Sequence, residues 1–82
     1  MWVLTEGREL VNLDHASIIR ISEDGENVYA ITPGVGAFEG RSYHICYAWE
    51  TETAHMVIRR IGDAIARGDR FLDIMEAMGP DE

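Results

Sequence analysis

His44 and Cys46 carry the most specific chemistry in this chain: an imidazole and a thiol, two positions apart in the alternating run from Ser42 to Trp49. At a period of two, both side chains fall on one face of a strand at roughly 7 Å. That is wide for two ligands of one zinc ion, and the types also suit a cysteine nucleophile with its base. Either chemistry needs a further participant. The other histidines, His15 and His55, sit in no Cys-x-x-Cys or His-x-x-x-His spacing, so neither completes a ligand set. The plainer reading makes the pair semi-buried sheet residues. On that reading the chain has no catalytic residue, no metal and no cofactor.

The other candidates have equally plain alternatives. Gly34-Val35-Gly36-Ala37-Phe38-Glu39-Gly40 resembles a phosphate-binding glycine loop. Such loops, however, open onto a helix N-terminus and carry a Lys-Ser/Thr pair, whereas a strand follows here. The segment Pro33 to Arg41 reads instead as a hairpin connection or as a recognition loop presenting Phe38. Glu23, Asp24 and Glu26 cluster in a turn without the ligand pattern of a calcium loop, which leaves them solvated. Arg59 and Arg60 flank an apolar stripe and read as surface groups pairing with nearby acids.

The elements that position these residues follow from periodicity. Trp2 to Thr5 and Glu9 to Leu13 read as a hairpin across Glu6-Gly7-Arg8, with Gly7 available for positive φ. Asp14-His15-Ala16 turns the chain. Ser17 to Ser22 and Asn27 to Thr32 form a second strand pair around Asp24-Gly25, a tight-turn signal. Ser42 to Trp49 alternates Tyr43, Ile45, Tyr47 and Trp49 against His44, Cys46 and Ala48, and the bulky set is expected to meet a helix. That helix spans 50–68: Ala54, Val57, Ile58, Ile61 and Ile65 recur at three and four, Thr51 or Thr53 caps the start, and Gly68 ends it. Phe71, Leu72, Ile74, Met75 and Met78 in the tail 69–82 suit either a short second helix or a last edge strand.

The expected fold is therefore α+β: one domain over 1–82, with a strand-rich meander at 1–49, the helix, and the tail. An antiparallel sheet of about five strands, with room for a sixth after the helix, packs against one long C-terminal helix. With 82 residues, the chain supports one modest core. The N-terminal run meets Glu6 without a basic leader or a long apolar segment, so neither signal peptide nor membrane span is expected. A lone cysteine fits a reducing, cytoplasmic setting. Fifteen acidic residues against seven arginines leave a net charge of −8, which disfavours direct nucleic-acid binding and would attract a basic partner.

The order Leu10-Val11-Asn12-Leu13, then Ile19 and Ile21 before an Asp-Gly turn, then an aromatic strand leading into Thr51-x-Thr53-Ala54 and the Ile-rich helix, resembles a type of small uncharacterised bacterial and phage protein. The resemblance implies an antiparallel sheet followed by one C-terminal helix and an extended tail, and it carries over no activity. One helix covers one sheet face. The opposite face, with Ile18, His44, Cys46 and Ala48, then needs a partner or the C-terminal segment as cover. The first expectation is a non-enzymatic interaction module that forms a homo-oligomer through a sheet face or edge, with Ile18, Phe38, His44 and Cys46 as contact residues. The second is an acidic inhibitor, anti-CRISPR-like or a nucleic-acid mimic, that occupies a basic surface. An enzyme built on His44 and Cys46 comes last.

Overall fold

The first hairpin forms where its apolar alternation and turn place it. β1 (Trp2–Leu4) pairs antiparallel with β2 (Leu10–Asn12), Trp2 opposite Asn12 and Leu4 opposite Leu10. In the connection, Thr5 is buried and its hydroxyl accepts from the Glu9 amide at 3.1 Å. Arg8, not Gly7, takes the positive φ, at 67°. The computed structural model describes residues 1–33 and 40–79. The central part of the glycine-rich connection, with Phe38, lies outside the described residues.

A short 3-10 turn at Leu13–His15, in which the Asn12 side chain accepts from the Asp14 amide, swings the chain out of the first sheet. β3 (Ile18–Ile21), β4 (Asn27–Ile31) and β5 (Ser42–Tyr47) then form a separate antiparallel meander in the order β3-β4-β5. The turn between β3 and β4 is built on Asp24-Gly25. The Ser22 hydroxyl donates to the Asp24 carboxylate, which also accepts from the Glu26 amide, and Gly25 sits at φ 77°. These bonds to the ionised form hold the Asp24 carboxyl below its ordinary range.

The helix α1 (Thr51–Arg67) follows, then β6 (Phe71–Asp73) and a single-turn helix α2 (Ile74–Ala77). β6 returns to the first sheet and lies parallel to β1, giving the order β2-β1-β6. The architecture is thus α+β with one long helix, but the single sheet of about five strands is replaced by two sheets of three. The reason is local: the 3-10 turn prevents β2 from continuing into a ladder with β3. The tail is both of the expected alternatives in succession. Asp73 ends the strand and caps the short helix, its side chain accepting from the Met75 amide at 3.0 Å.

Glu6 staples the two sheets together. Its amide donates to the Ile45 carbonyl at 2.9 Å, and its carboxylate accepts from the Tyr47 amide at 2.6 Å. Side-chain and main-chain atoms of one residue therefore take the place of a ladder between β1 and β5.

β5 contains the feature that rearranges the expected faces. Val28 lies opposite Cys46 and Tyr29 opposite His44, so Ile45 is an extra residue in the β5 strand, a β-bulge. The alternation changes parity there. Tyr43 and His44 are exposed, Ile45 and Cys46 are both buried, and Tyr47 and Trp49 are exposed while Ala48 is buried. The bulky set does not meet the helix as a block, since only Ile45 enters the core.

Helix α1 packs on β3 and β4 through Thr53, Ala54, Val57, Ile61 and Ala64. Ala64 takes the place expected of Ile65, which is exposed. The N-cap is Glu50 and no side chain bonds an orphan amide; the Thr53 hydroxyl donates instead to the Glu50 carboxylate at 3.2 Å. At the far end Gly68 adopts φ 78°, and the Gly68 and Asp69 amides donate back to the Ile65 and Ala64 carbonyls, the left-handed cap that glycine allows. One core, including Val3, Val28, Ile45, Val57, Ile61 and Ile74, joins both sheets and both helices.

Candidate interaction surface

The first sheet is apolar on both sides. Its inner face carries Val3, fully buried, with Val11 and Leu72 packed against the core. The strand period then sends Trp2, Leu4, Leu10 and Phe71 to the outer face, with Asn12 and Asp73 as its polar members. Trp2 lies directly opposite Phe71 on the parallel neighbour, and Leu4 directly opposite Leu10. Trp2, Leu10 and Phe71 are 48%, 58% and 53% exposed. Trp2 and Leu10 are diagonal neighbours, about 7–8 Å apart in such a sheet and within reach of large side chains. The result is a contiguous apolar patch on a rigid three-strand platform.

The residues expected at the interface are dispersed. Ile18 is exposed on the outer face of the second sheet, where Arg20, Tyr29, Ile31, Ser42 and His44 share its side by register. His44 is exposed there too: Nε2 lies 2.9 Å from the Asn27 Oδ1, and the ring meets Tyr29 edge-on at 5.2 Å between centroids. Cys46 is on the opposite, inner face and fully buried. The Ile45 bulge puts His44 and Cys46 on opposite sides of the sheet, so they form neither a dyad nor a shared ligand pair. Nor does Cys46 or Ala48 belong to an uncovered face, because both lie in the core. Burial, reinforced by the Glu6 charge, pushes the Cys46 thiol up to about 11, which makes it an inert core group rather than a nucleophile. Among the described residues no three His, Cys, Asp or Glu side chains group to hold a metal ion.

Two further surface features stand out. Along α1 a groove of about 520 Å³ is lined by Thr51, Glu52, His55, Met56, Arg59, Arg60 and Asp63. Arg60 leaves that groove to tie down the tail, its guanidinium donating to the Ala77 and Gly79 carbonyls. At the end of β5, Trp49 is 54% exposed with φ 50°, and the Glu50 amide donates to the Ala48 carbonyl across it at 2.5 Å. A left-handed conformation costs a bulky L-residue about 1–2 kcal/mol.

Trp2, Leu10 and Phe71 escaped the reading of the sequence, although a signal was present. Trp2-Val3-Leu4, Leu10-Val11 and Phe71-Leu72 are consecutive apolar runs rather than alternating ones, the pattern of strands with two apolar faces. No helix among the described residues is long and apolar enough to cross a membrane. Comparison with protein-family models, with curated proteins and with solved structures finds no match to this chain.

Proposed function

We propose that this chain is a non-enzymatic protein–protein interaction module that self-associates reversibly, the outer face of its β2-β1-β6 sheet stacking on the same face of a second copy. The observation that carries this reading is the patch formed by Trp2, Leu10 and Phe71. Charge opposes self-association least at this face. Copies of a chain with net charge −8 repel one another, and Asp73 is the one ionisable side chain that register places on this face, with Glu9 and His15 beside Trp2 and Leu10 at its β2 edge. Two molecules approach with least repulsion where their charges are sparse.

Area sets the strength. Large side chains about half exposed contribute roughly 100 Å² each, so the patch offers roughly 300 Å², well below the ~800 Å² per partner of a standard stable interface. A monomer–dimer equilibrium is therefore expected, visible at high concentration and absent in dilute solution. Sedimentation velocity from micromolar to millimolar protein should show the average mass rising, more so when added salt screens the repulsion. Trp2→Ser and Phe71→Ser should each abolish the rise without unfolding the chain. Monomer throughout that range, or undiminished association in Trp2→Ser, would overturn the reading.

A further inference from the structure

We propose that the free edge of β2 is a strand-addition site: a single extended segment of another protein pairs with Leu10–Asn12 through main-chain hydrogen bonds, seated in the cleft between the first sheet and the paired ends of β4 and β5. This goes beyond self-association, which uses the face of that sheet and not its edge.

The phase of the β1–β2 ladder identifies the unpaired groups. The Thr5 amide donates to the Glu9 carbonyl at 2.8 Å, and the Leu13 amide to the Met1 carbonyl at 2.9 Å. Bonded and non-bonded pairs alternate along an antiparallel ladder, so Val3 with Val11 is the bonded pair between them, and Trp2 with Asn12 and Leu4 with Leu10 are the non-bonded ones. The amide and carbonyl of Leu10 and the amide of Asn12 therefore point away from β1. The same phase turns Trp2 toward β6, where its amide donates to the Arg70 carbonyl at 2.8 Å. Among the described residues β2 has no second neighbour, and no hydrogen bond outside the ladder engages these three groups.

A cleft of about 230 Å³ follows that edge. All three residues of β2 line it, with Trp2 beside them and Thr32 and Tyr43 across from them. A strand's face presents only alternate residues, as in the hollow on the second sheet, to which β4 contributes Tyr29 and Ile31 but not Ala30. The far wall is firmly built. The Thr32 amide and hydroxyl both donate to the Arg41 carbonyl, at 2.8 and 3.3 Å, the Arg41 amide donates to the Thr32 hydroxyl at 3.1 Å, and Tyr43 lies opposite Ala30 in the β4–β5 ladder. Entry of a segment therefore costs the protein little ordering. The unpaired groups choose the occupant: a donor and acceptor on one residue and a further donor two residues on are the complement of another extended main chain. The far wall favours a lone segment over a second copy, whose own β2 would bring two more strands with it toward Thr32 and Tyr43. Trp2 and Leu10, flanking the edge on the outer face, favour aliphatic residues at every second position of that segment.

The test titrates the capped peptide acetyl-Thr-Val-Thr-Val-Thr-amide into the full chain carrying Phe71→Ser, followed by amide chemical shifts. Phe71 lies on the far strand of the sheet and does not line the cleft, so the result stands whether or not the self-association reading does. The Leu10 and Asn12 amides should move downfield and exchange more slowly with solvent. An extended strand offers only every second N–H to its neighbour, so N-methylating one alternate set of peptide residues should weaken binding at least about tenfold, and methylating the other set should leave it within twofold. In the protein, Asn12 has φ −86°, close to the range of proline, and its amide makes no ladder bond. Asn12→Pro should therefore bind at least about fivefold more weakly than Asn12→Ala, which loses the same side chain but keeps the amide. Should Asn12→Pro fold poorly, the methylated peptides decide the matter on the intact edge. Leu10 and Asn12 amides that stay unmoved, equal weakening by both methylated sets, or equal binding by a folded Asn12→Pro and Asn12→Ala would overturn the proposal.

Discussion

The two sheets are alike in size and differ in what they leave uncovered. β3-β4-β5 lays its inner face on α1 and exposes a mixed face on which Ile18 and Tyr29 alternate with Arg20, Ser42, Asn27 and His44. Water solvates such a face adequately, because its polar groups interrupt the apolar ones and even bond one another, as His44 does with Asn27. β2-β1-β6 instead exposes Trp2, Leu10 and Phe71 with little between them. An uncovered face is thus not in itself a docking site, since the density of polar groups on it decides the matter. Ile18 and His44 were expected at the interface because they lie opposite the helix, and the comparison moves the candidate patch to the sheet that the helix does not line.

The sharpest way to break the comparison is to remove the residue on which both sheets depend. Ile45 is fully buried at the bulge, and its carbonyl receives the Glu6 amide from the other sheet. Ile45→Ala should cost about 3 kcal/mol, as other buried large-to-small changes do, read as a lowered midpoint in urea unfolding. If the sheets share one core, the transition stays single and both tryptophans report it together. A smaller effect should follow from the staple. Glu6→Ala removes a charged acceptor from the Tyr47 amide, and an exposed bond of this kind should cost about 1 kcal/mol, with Glu6→Gln recovering most of it. Amide exchange should then accelerate at Tyr47 more than inside either three-strand ladder. Uniform acceleration across the chain would mean that Glu6 contributes only to general stability.

These two residues also show where a sequence stops being informative. The helix was legible because Ala54, Val57 and Ile61 repeat at its period and Gly68 has the freedom its cap requires. The turns at Asp24-Gly25 and between β1 and β2 were legible because they are local. The division into two sheets was not, since the 3-10 turn that separates β2 from β3 leaves no mark on the apolar period, and the Glu6 carboxylate that then joins the sheets meets an amide far along the chain. Nor was the Ile45 bulge: a period of two has no means of registering an extra residue, and every face assignment after that point in β5 changes side. That single insertion turned His44 and Cys46 from an apparent pair into residues on opposite sides. Parallel pairing of β1 with β6 is likewise non-local, which is why Phe71 could not be placed beside Trp2 in advance.

The smallest expected effect tests the buried side of that separation. The Cys46 thiol ionises ordinarily at 9.0 and in the folded chain at about 11, first because it is buried and then because Glu6 repels a thiolate. Above about pH 9 the unfolded chain releases this proton while the folded chain retains it, so the unfolded state binds fewer protons and stability falls as pH rises. The loss develops between about pH 9 and 11 and levels off once the folded form ionises too; below pH 9 the group contributes no dependence. The measurement is a difference in slope: urea midpoints against pH should decline less steeply in Cys46→Ala than in the parent, whatever the absolute stability of the variant. Thiol labelling at neutral pH should be slow and should track unfolding, accelerating in Ile45→Ala in proportion to its lost stability. Rapid labelling in the native chain would place the thiol at the surface and restore His44 and Cys46 to a common face.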